Sequence, residues 1–534
     1  MFRGALLLAL PTLLVAQQPN LPRLADSVFR ERNTVHAPGC AVGVARGGTV
    51  LLTRGYGMAD LESGVANTAE TIFESGSVAK QFTAAATMML VVDGKLGLDD
   101  PVRKYVPELP EYGRPITIRH LLTHTSGLRE WSALVAAQGW PRGTRRHTQA
   151  ELFDVVTRQR ALNYPVGDYY SYTNSGYGLL FTIVERVSGK SFDEFSQERL
   201  FRPLGMTSTR WRDDFTELVP DRAQAYARED DGWHLTMPFE DVVGPGGLLT
   251  TVGDLLRWNE ALTDRTLGAA VVDSMSRRMR LTNGREIEYA LGLFVTTYRG
   301  IAEISHSGST AGYQTFLARY PDRGNLSVAV LCNAGNANPV AHAHALVDGL
   351  VSDFPPAPAL DTTAVDSAAF ARLLGVYRNG RTGTPLTISP QTRGRFRALP
   401  DGSFWAGPGG ARWVFLTGPD GTPMGLHVLP ADGDTLRFTF AGRERWKPAA
   451  DRLAEFAGRY ASEELGVTYE VAVLRDTLTV QVRPGQKLPL SPVYVDGFEA
   501  GGSTVWFTRD RRGRVTAAHL GEGRLWDLVL NKVP

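Results

Sequence analysis

The sequence has almost no surplus of either charge, with 57 basic residues against 56 acidic ones across 534 positions. A polyanion needs a basic face to hold it, so this balance argues against nucleic acid as a partner. Cysteine is nearly absent. Cys40 and Cys332 are the two present, too few for a disulfide framework or a multi-thiolate metal site. No stretch approaches the roughly 18 apolar residues of a membrane-crossing helix, so no stable membrane anchor is expected. Gly-x-Ser-x-Gly, the nucleophile turn of α/β-hydrolases, does not occur, and neither does the zinc spacing His-Glu-x-x-His. Lysine is scarce too, which matters below because seven residues are all there are.

What is present is ordinary globular composition, 43% apolar and 21% charged, which excludes wholesale disorder. Met1-Phe2-Arg3, an apolar run from Ala5 to Val15 and the small Ala16 read as a secretory signal peptide over residues 1–16. The mature protein is therefore expected in the periplasm or outside the cell. An oxidising compartment would permit a Cys40–Cys332 bridge. Both cysteines sit in apolar strand-like runs where buried free thiols are equally ordinary, and the sequence leaves the two states open.

The chain changes character near residue 355. Residues 17–354 mix helix-like and strand-like segments; Pro355 to Leu360 read as a linker; residues 361–448 and 449–534 read as two all-β modules. The modules echo each other, since Leu374-Gly-Val-Tyr377 recurs as Ala457-Gly-Arg-Tyr460, offset by 83 positions. The linker predicts that the first part folds without the modules. Within it, helices are predicted at 77–93, 117–124, 191–200 and 254–262, and strands at 301–305, 313–320 and 326–333. A hairpin around Gly47-Gly48 opens the domain, and its first strand is expected to meet the last.

Ser77-Val-Ala-Lys80 opens an apolar helix, and i, i+3 spacing puts the amine beside the hydroxyl. Burial disfavours a charged amine, so Lys80 can lose its proton and accept one from Ser77. Tyr172-Thr-Asn174 lies in the loop-like stretch GDYYSYTNSGYG. A nearby cation would lower the tyrosine pKa, making it a base, and Asn174 could orient a substrate amide. His306-Ser-Gly308-Ser309 is predicted at the end of a strand. There Gly308 would let substrate backbone approach, Ser309 N–H could donate to an oxyanion, and His306 could bind a substrate carbonyl or carboxylate. Tyr377/Asn379 and His519/Gly521 repeat two of these patterns, so no single pattern is decisive.

The ordered set Ser-x-x-Lys, Tyr-x-Asn, His-x-Gly resembles the class C branch of the serine β-lactamase and penicillin-binding superfamily, peptidase family S12. FESGSVAKQFTAAA, ITIRHLLTHTSGL, GPGGLLTTVGDLLRW and HSGSTAGY extend the likeness over residues 37–335. The resemblance implies an α/β fold, with a helical subdomain on an antiparallel sheet flanked by helices. It implies Ser77 as nucleophile, Lys80 and Tyr172 as proton-transfer residues, and Asn174, His306, Gly308 and Ser309 as substrate-binding residues. No cofactor and no metal are implied. The substrate implied is a small peptide, with D-residues within range, or an ester. The third motif lacks the lysine that β-lactamases use, so efficient β-lactam hydrolysis is not expected. The C-terminal modules resemble the lipocalin-like domains of D-aminopeptidases, which can gate the cleft or join subunits into a homo-oligomer. The competing reading is a peptide or partner binder with little turnover.

Overall fold

Six antiparallel strands carry the candidate site. They are β1 (Cys40–Arg46), β2 (Thr49–Tyr56), β3 (Phe294–Tyr298), β4 (Ile301–Thr310), β5 (Tyr313–Tyr320) and β6 (Leu326–Cys332), in the order β3-β4-β5-β6-β1-β2. The computed structural model describes residues 20–356, 360–406, 410–430 and 434–534. The leader expected at 1–16 and residues 357–359 of the expected linker lie outside them. The first and last strands of the domain do pair. Cys40 stands directly opposite Cys332 in the β1–β6 ladder, and the two are disulfide-bonded. The β1–β2 hairpin turns on Gly47 and Gly48, both with positive φ (51° and 74°) as such a turn requires.

The middle of the sheet is covered on both faces, so β6 is buried along its whole length and shows no alternation. Helices Leu21–Val28 and Pro339–Leu350 share one apolar cluster with one face. Val252–Thr263, capped by Thr251, packs with the other. Beyond it lies α1 (Lys80–Val92), buried at every residue from Lys80 to Leu90 and followed by Gly94 at φ +71°. A helix apolar all round has no solvent face to present, so it sits wedged between the sheet and the helical part. The Ser191/Glu194 capping box is formed, but the helix it starts runs Phe192–Ser196 and passes into a π turn, Gln197–Phe201. The helix expected to reach His124 is Ile118–Leu122, and His124 itself has left-handed backbone (φ 57°).

The C-terminal part is all β. Seven strands, the first Gly375–Asn379 and the last Leu436–Gly442, form one sheet, and eight strands between Gly458 and Val533 form a closed barrel. The 83-residue echo marks a shared structural device. Tyr377 donates its hydroxyl to Leu373 O at 2.7 Å, and Tyr460 donates to Phe456 O at 2.7 Å. The expected independence of the first part is not what the packing shows. One apolar core runs without a break from α1 and the helical part into the barrel, through residues such as Tyr469, Phe498 and Leu528. Among the described residues, no helix is long and apolar enough to cross a membrane.

Candidate active site

Ser77 sits in a 3-10 turn, Gly76–Ala79, immediately before α1, rather than inside the helix. Two strands hold this turn. Ser75 N–H donates to Leu248 O at 2.8 Å, and Thr315 of β5 donates its hydroxyl to Ser75 O at 2.7 Å. The approach to β4 is so close that glycine is required on both sides. A Cβ on Gly76 (φ +52°) would lie 2.7 Å from Ser309 N, and one on Gly308 would lie 2.1 Å from Ser75 O and 3.0 Å from Ser77 N. The backbones of Ser77 and Ser309 are thereby brought together. β3 starts with Phe294 opposite Ser305, so residues 306–310 extend past it as an uncovered strand edge. His306 thus lies within β4, not at its end.

Lys80, fully buried, points its amine at three oxygens. Nζ lies 3.0 Å from Ser77 Oγ, 2.8 Å from Asn174 Oδ1 and 2.7 Å from Pro245 O. The last two can only accept, so they occupy two N–H groups. In a neutral amine the remaining lone pair then faces the Ser77 hydroxyl. Burial pushes the Lys80 pKa well down; Glu130 pulls it back up, while Arg524 and Arg142 add to the fall.

Asn174 does not lie in a loop. It is the first residue of α2 (Asn174–Ser188), whose N-cap is Thr173. Glu130, only 2% exposed, completes that helix end in trans. Its carboxylate accepts Asn174 N–H at 2.6 Å, Asn174 Nδ2 at 3.0 Å and Thr173 Oγ1 at 3.1 Å.

Tyr172 lies just ahead of the helix, its ring 4.9 Å from Lys80 Nζ and 4.2 Å from the His124 ring. Its buried hydroxyl oxygen has no well-formed hydrogen bond. The expected fall in its pKa is not found: burial pushes the phenol up, with the nearby Ser77 hydroxyl and Arg524 opposing only in part. The resting phenol is therefore protonated.

His306 is a neutral wall of the cleft. Its Nδ1 lies 2.6 Å from the Ser307 carbonyl, which can only accept, so Nδ1 carries the proton and Nε2 accepts the Tyr289 hydroxyl at 3.1 Å. Burial first, then Lys80, pushes its pKa down to about 3. Both nitrogens are spent, so the expected hydrogen bond from His306 to substrate has no free donor or acceptor here. Gly308 acts by its missing side chain. Ser309 keeps its backbone at the open edge while its hydroxyl accepts from Gln314 at 3.0 Å.

A cleft of about 570 Å³ joins these groups, with Ser77, Tyr172, Asn174, His306, Ser309 and Arg524 on its walls. A larger hollow of about 810 Å³, near Gly48 and Arg257, contains none of them. The decoys fall in the C-terminal β part: Tyr377 and Asn379 on one strand of the seven-stranded sheet, His519 and Gly521 in the barrel. Sequence reasoning missed Glu130, His124, Pro245 and Arg524. His124 lies in ITIRHLLTHTSGL and Pro245 in GPGGLLTTVGDLLRW, phrases already singled out, and Glu130 stands two residues beyond the first of them. Nothing in the local sequence marks Arg524.

The Beta-lactamase family model matches residues 25–353. Penicillin-binding protein 4* of Bacillus subtilis is 28% identical over 376 residues, which cover 66% of this chain and 82% of that protein. The D-aminopeptidase of Brucella anthropi is 26% identical over 513 residues, 91% of this chain and 93% of that protein. The octameric penicillin-binding protein homologue from Pyrococcus abyssi shares the fold, with a TM-score of 0.54 at 22% identity over 95% of this chain and 99% of that one.

Proposed function

This chain belongs to the serine β-lactamase family, and from that premise we propose that it hydrolyses small peptides through an acyl-enzyme on Ser77. That it is a serine hydrolase agrees with relatives named as a D-aminopeptidase and a penicillin-binding protein. The observation that carries the acyl-enzyme reading is the 3.0 Å approach of Lys80 Nζ to Ser77 Oγ, with the other two amine contacts on pure acceptors.

In this reading Ser77 Oγ attacks the substrate carbonyl carbon while its proton passes to the neutral Lys80 amine. The electron pair of the carbonyl moves to its oxygen, which sits between the N–H groups of Ser77 and Ser309. Collapse of that intermediate breaks the carbon–nitrogen bond. The departing nitrogen takes the Tyr172 proton, and the Lys80 ammonium restores it to the phenol. Water repeats the sequence on the ester: the phenol returns the hydrogen to Ser77 Oγ as the acid leaves. Asn174 holds the substrate amide and, through its carbonyl, the lysine. His306 shapes the wall without carrying charge, which supports weak β-lactam turnover.

Export also belongs to this proposal, supported by the leader-like residues 1–16 and the Cys40–Cys332 bond. Self-association through the C-terminal β units is supported by the relative described as octameric. The test is a hydrolysis screen of D-aminoacyl amides, D-Ala-D-Ala peptides, short esters and nitrocefin. The expected result is peptide turnover that Ser77→Ala abolishes, with nitrocefin slow. Peptide binding without turnover by the wild type would favour the binder instead.

A further inference from the structure

The turn between barrel strands Val515–Glu522 and Leu525–Val533 reaches the mouth of the cleft and delivers Arg524 to its wall. The guanidinium lies 4.9 Å from the centroid of the Tyr172 ring. The turn is held in place by the hydrolase part. Asn163 donates Nδ2 to Arg524 O at 2.9 Å and accepts Trp526 N–H at 3.0 Å, so one side chain pairs with the turn as a neighbouring strand would. Trp526 packs on Tyr164 with ring centroids 4.8 Å apart, and Arg129 donates to Asp527 O at 2.6 Å. The backbone that carries Arg524 is therefore fixed, while its side chain is exposed.

The other charges around Ser77 are already engaged. Arg142 is held by both oxygens of Glu240, and Glu130 is filled by Asn174 and Thr173. Lys80 is buried and points at Ser77, and His306 is neutral. Among the described residues Arg524 has no ion pair, so it is the cleft's cation with its donor fork still available for a planar anion. Among the described residues that line the cleft there is no carboxylate to receive an ammonium.

We propose that Arg524 is the specificity residue for a substrate carboxylate, and that the cleft takes peptides with a free C-terminal carboxylate rather than reading a free N-terminal amine. This rests on the acyl-enzyme reading, in which Tyr172 serves the departing nitrogen. The carboxylate of a single departing amino acid stands two bonds from that nitrogen, and the guanidinium lies over the same phenol ring.

Binding tests this apart from turnover. In full-length Ser77→Ala protein, calorimetry compares acetyl-D-alanyl-D-alanine with the same peptide carrying a C-terminal amide. The carboxylate peptide is expected to bind about tenfold tighter, as one charge-assisted pair would give. Adding Arg524→Gln should erase the preference, and Arg524→Lys should keep part of it. Equal affinity for the two peptides, no measurable binding of either, or a preference that survives Arg524→Gln overturns the assignment. Failure of the acyl-enzyme reading would appear separately, as wild-type protein without Ser77-dependent hydrolysis.

Discussion

Glu130 takes both the backbone N–H and the side-chain Nδ2 of Asn174, and so turns the Asn174 carbonyl oxygen onto Lys80 Nζ at 2.8 Å. The carboxylate fixes which way the amide points, and the amide fixes where the lysine sits. Glu130→Gln exchanges one acceptor oxygen for a donor and leaves an Asn174 N–H without a partner. Acylation should fall about 10²-fold from the misplaced amine, with the fold intact by circular dichroism. Unchanged single-turnover rates would show that Glu130 positions nothing.

The acid limb of the pH–kcat/KM profile should follow Lys80, because only the neutral amine accepts a proton. The groups that act on it are Glu130, which raises its pKa, and Arg524 and Arg142, which lower it along with burial. Arg524→Gln removes a cation, so Lys80 holds its proton to higher pH and the limb moves up. Glu130→Gln removes an anion and moves the limb down. Lys80→Ala should cost about 10²–10⁴-fold. Limbs that stay put in both charge variants would assign the titration to another group.

Gly308→Ala places a methyl 2.1 Å from Ser75 O and 2.3 Å from Thr315 Oγ1. Neither backbone can yield without opening the gap between β4 and the Ser77 turn. Hydrolysis should drop by about 10² or more from the lost oxyanion geometry, and the overpacked contact should lower the melting temperature as well. Near wild-type turnover would remove Ser77 and Ser309 as an oxyanion pair.

The barrel should be inseparable from the catalytic part. Buried Arg129 (3% exposed) pairs with Glu464 of the barrel and donates to Asp527 O, and Tyr469 donates its hydroxyl to Ala137 O. Arg129→Ala should cost about 3 kcal/mol in denaturant unfolding, the lower end for a broken buried pair because Glu464 keeps 20% exposure. Removing residues 357–534 should give insoluble or inactive protein. A soluble, active truncation would show that the shared core is dispensable.

Much of this was readable from the sequence where the signal is local. Ser77 and Lys80 are three residues apart, and helical spacing alone brings amine to hydroxyl. The sheet strands, the Ser191/Glu194 cap and the paired tyrosines of the two β units are local patterns as well. What escaped depends on burial or on distant partners. Tyr172 was expected to be acidified by Lys80, yet the surrounding rings bury its oxygen, and that desolvation outweighs the Ser77 hydroxyl and Arg524, which oppose it. His306 carries a pattern for substrate contact, but Tyr289 and the Ser307 carbonyl occupy it. The disulfide stayed open until strand register set Cys40 opposite Cys332. Arg524 reaches Tyr172 only because Asn163 and Trp526 dock a barrel turn against the cleft.

The most direct test is intact-mass spectrometry of the protein after exposure to a fluorophosphonate. A single adduct, mapped to Ser77 in the wild type and absent from Ser77→Ala, is the result expected of a serine whose proton Lys80 removes. A wild type that stays unmodified, or an adduct that persists in Ser77→Ala, would contradict it.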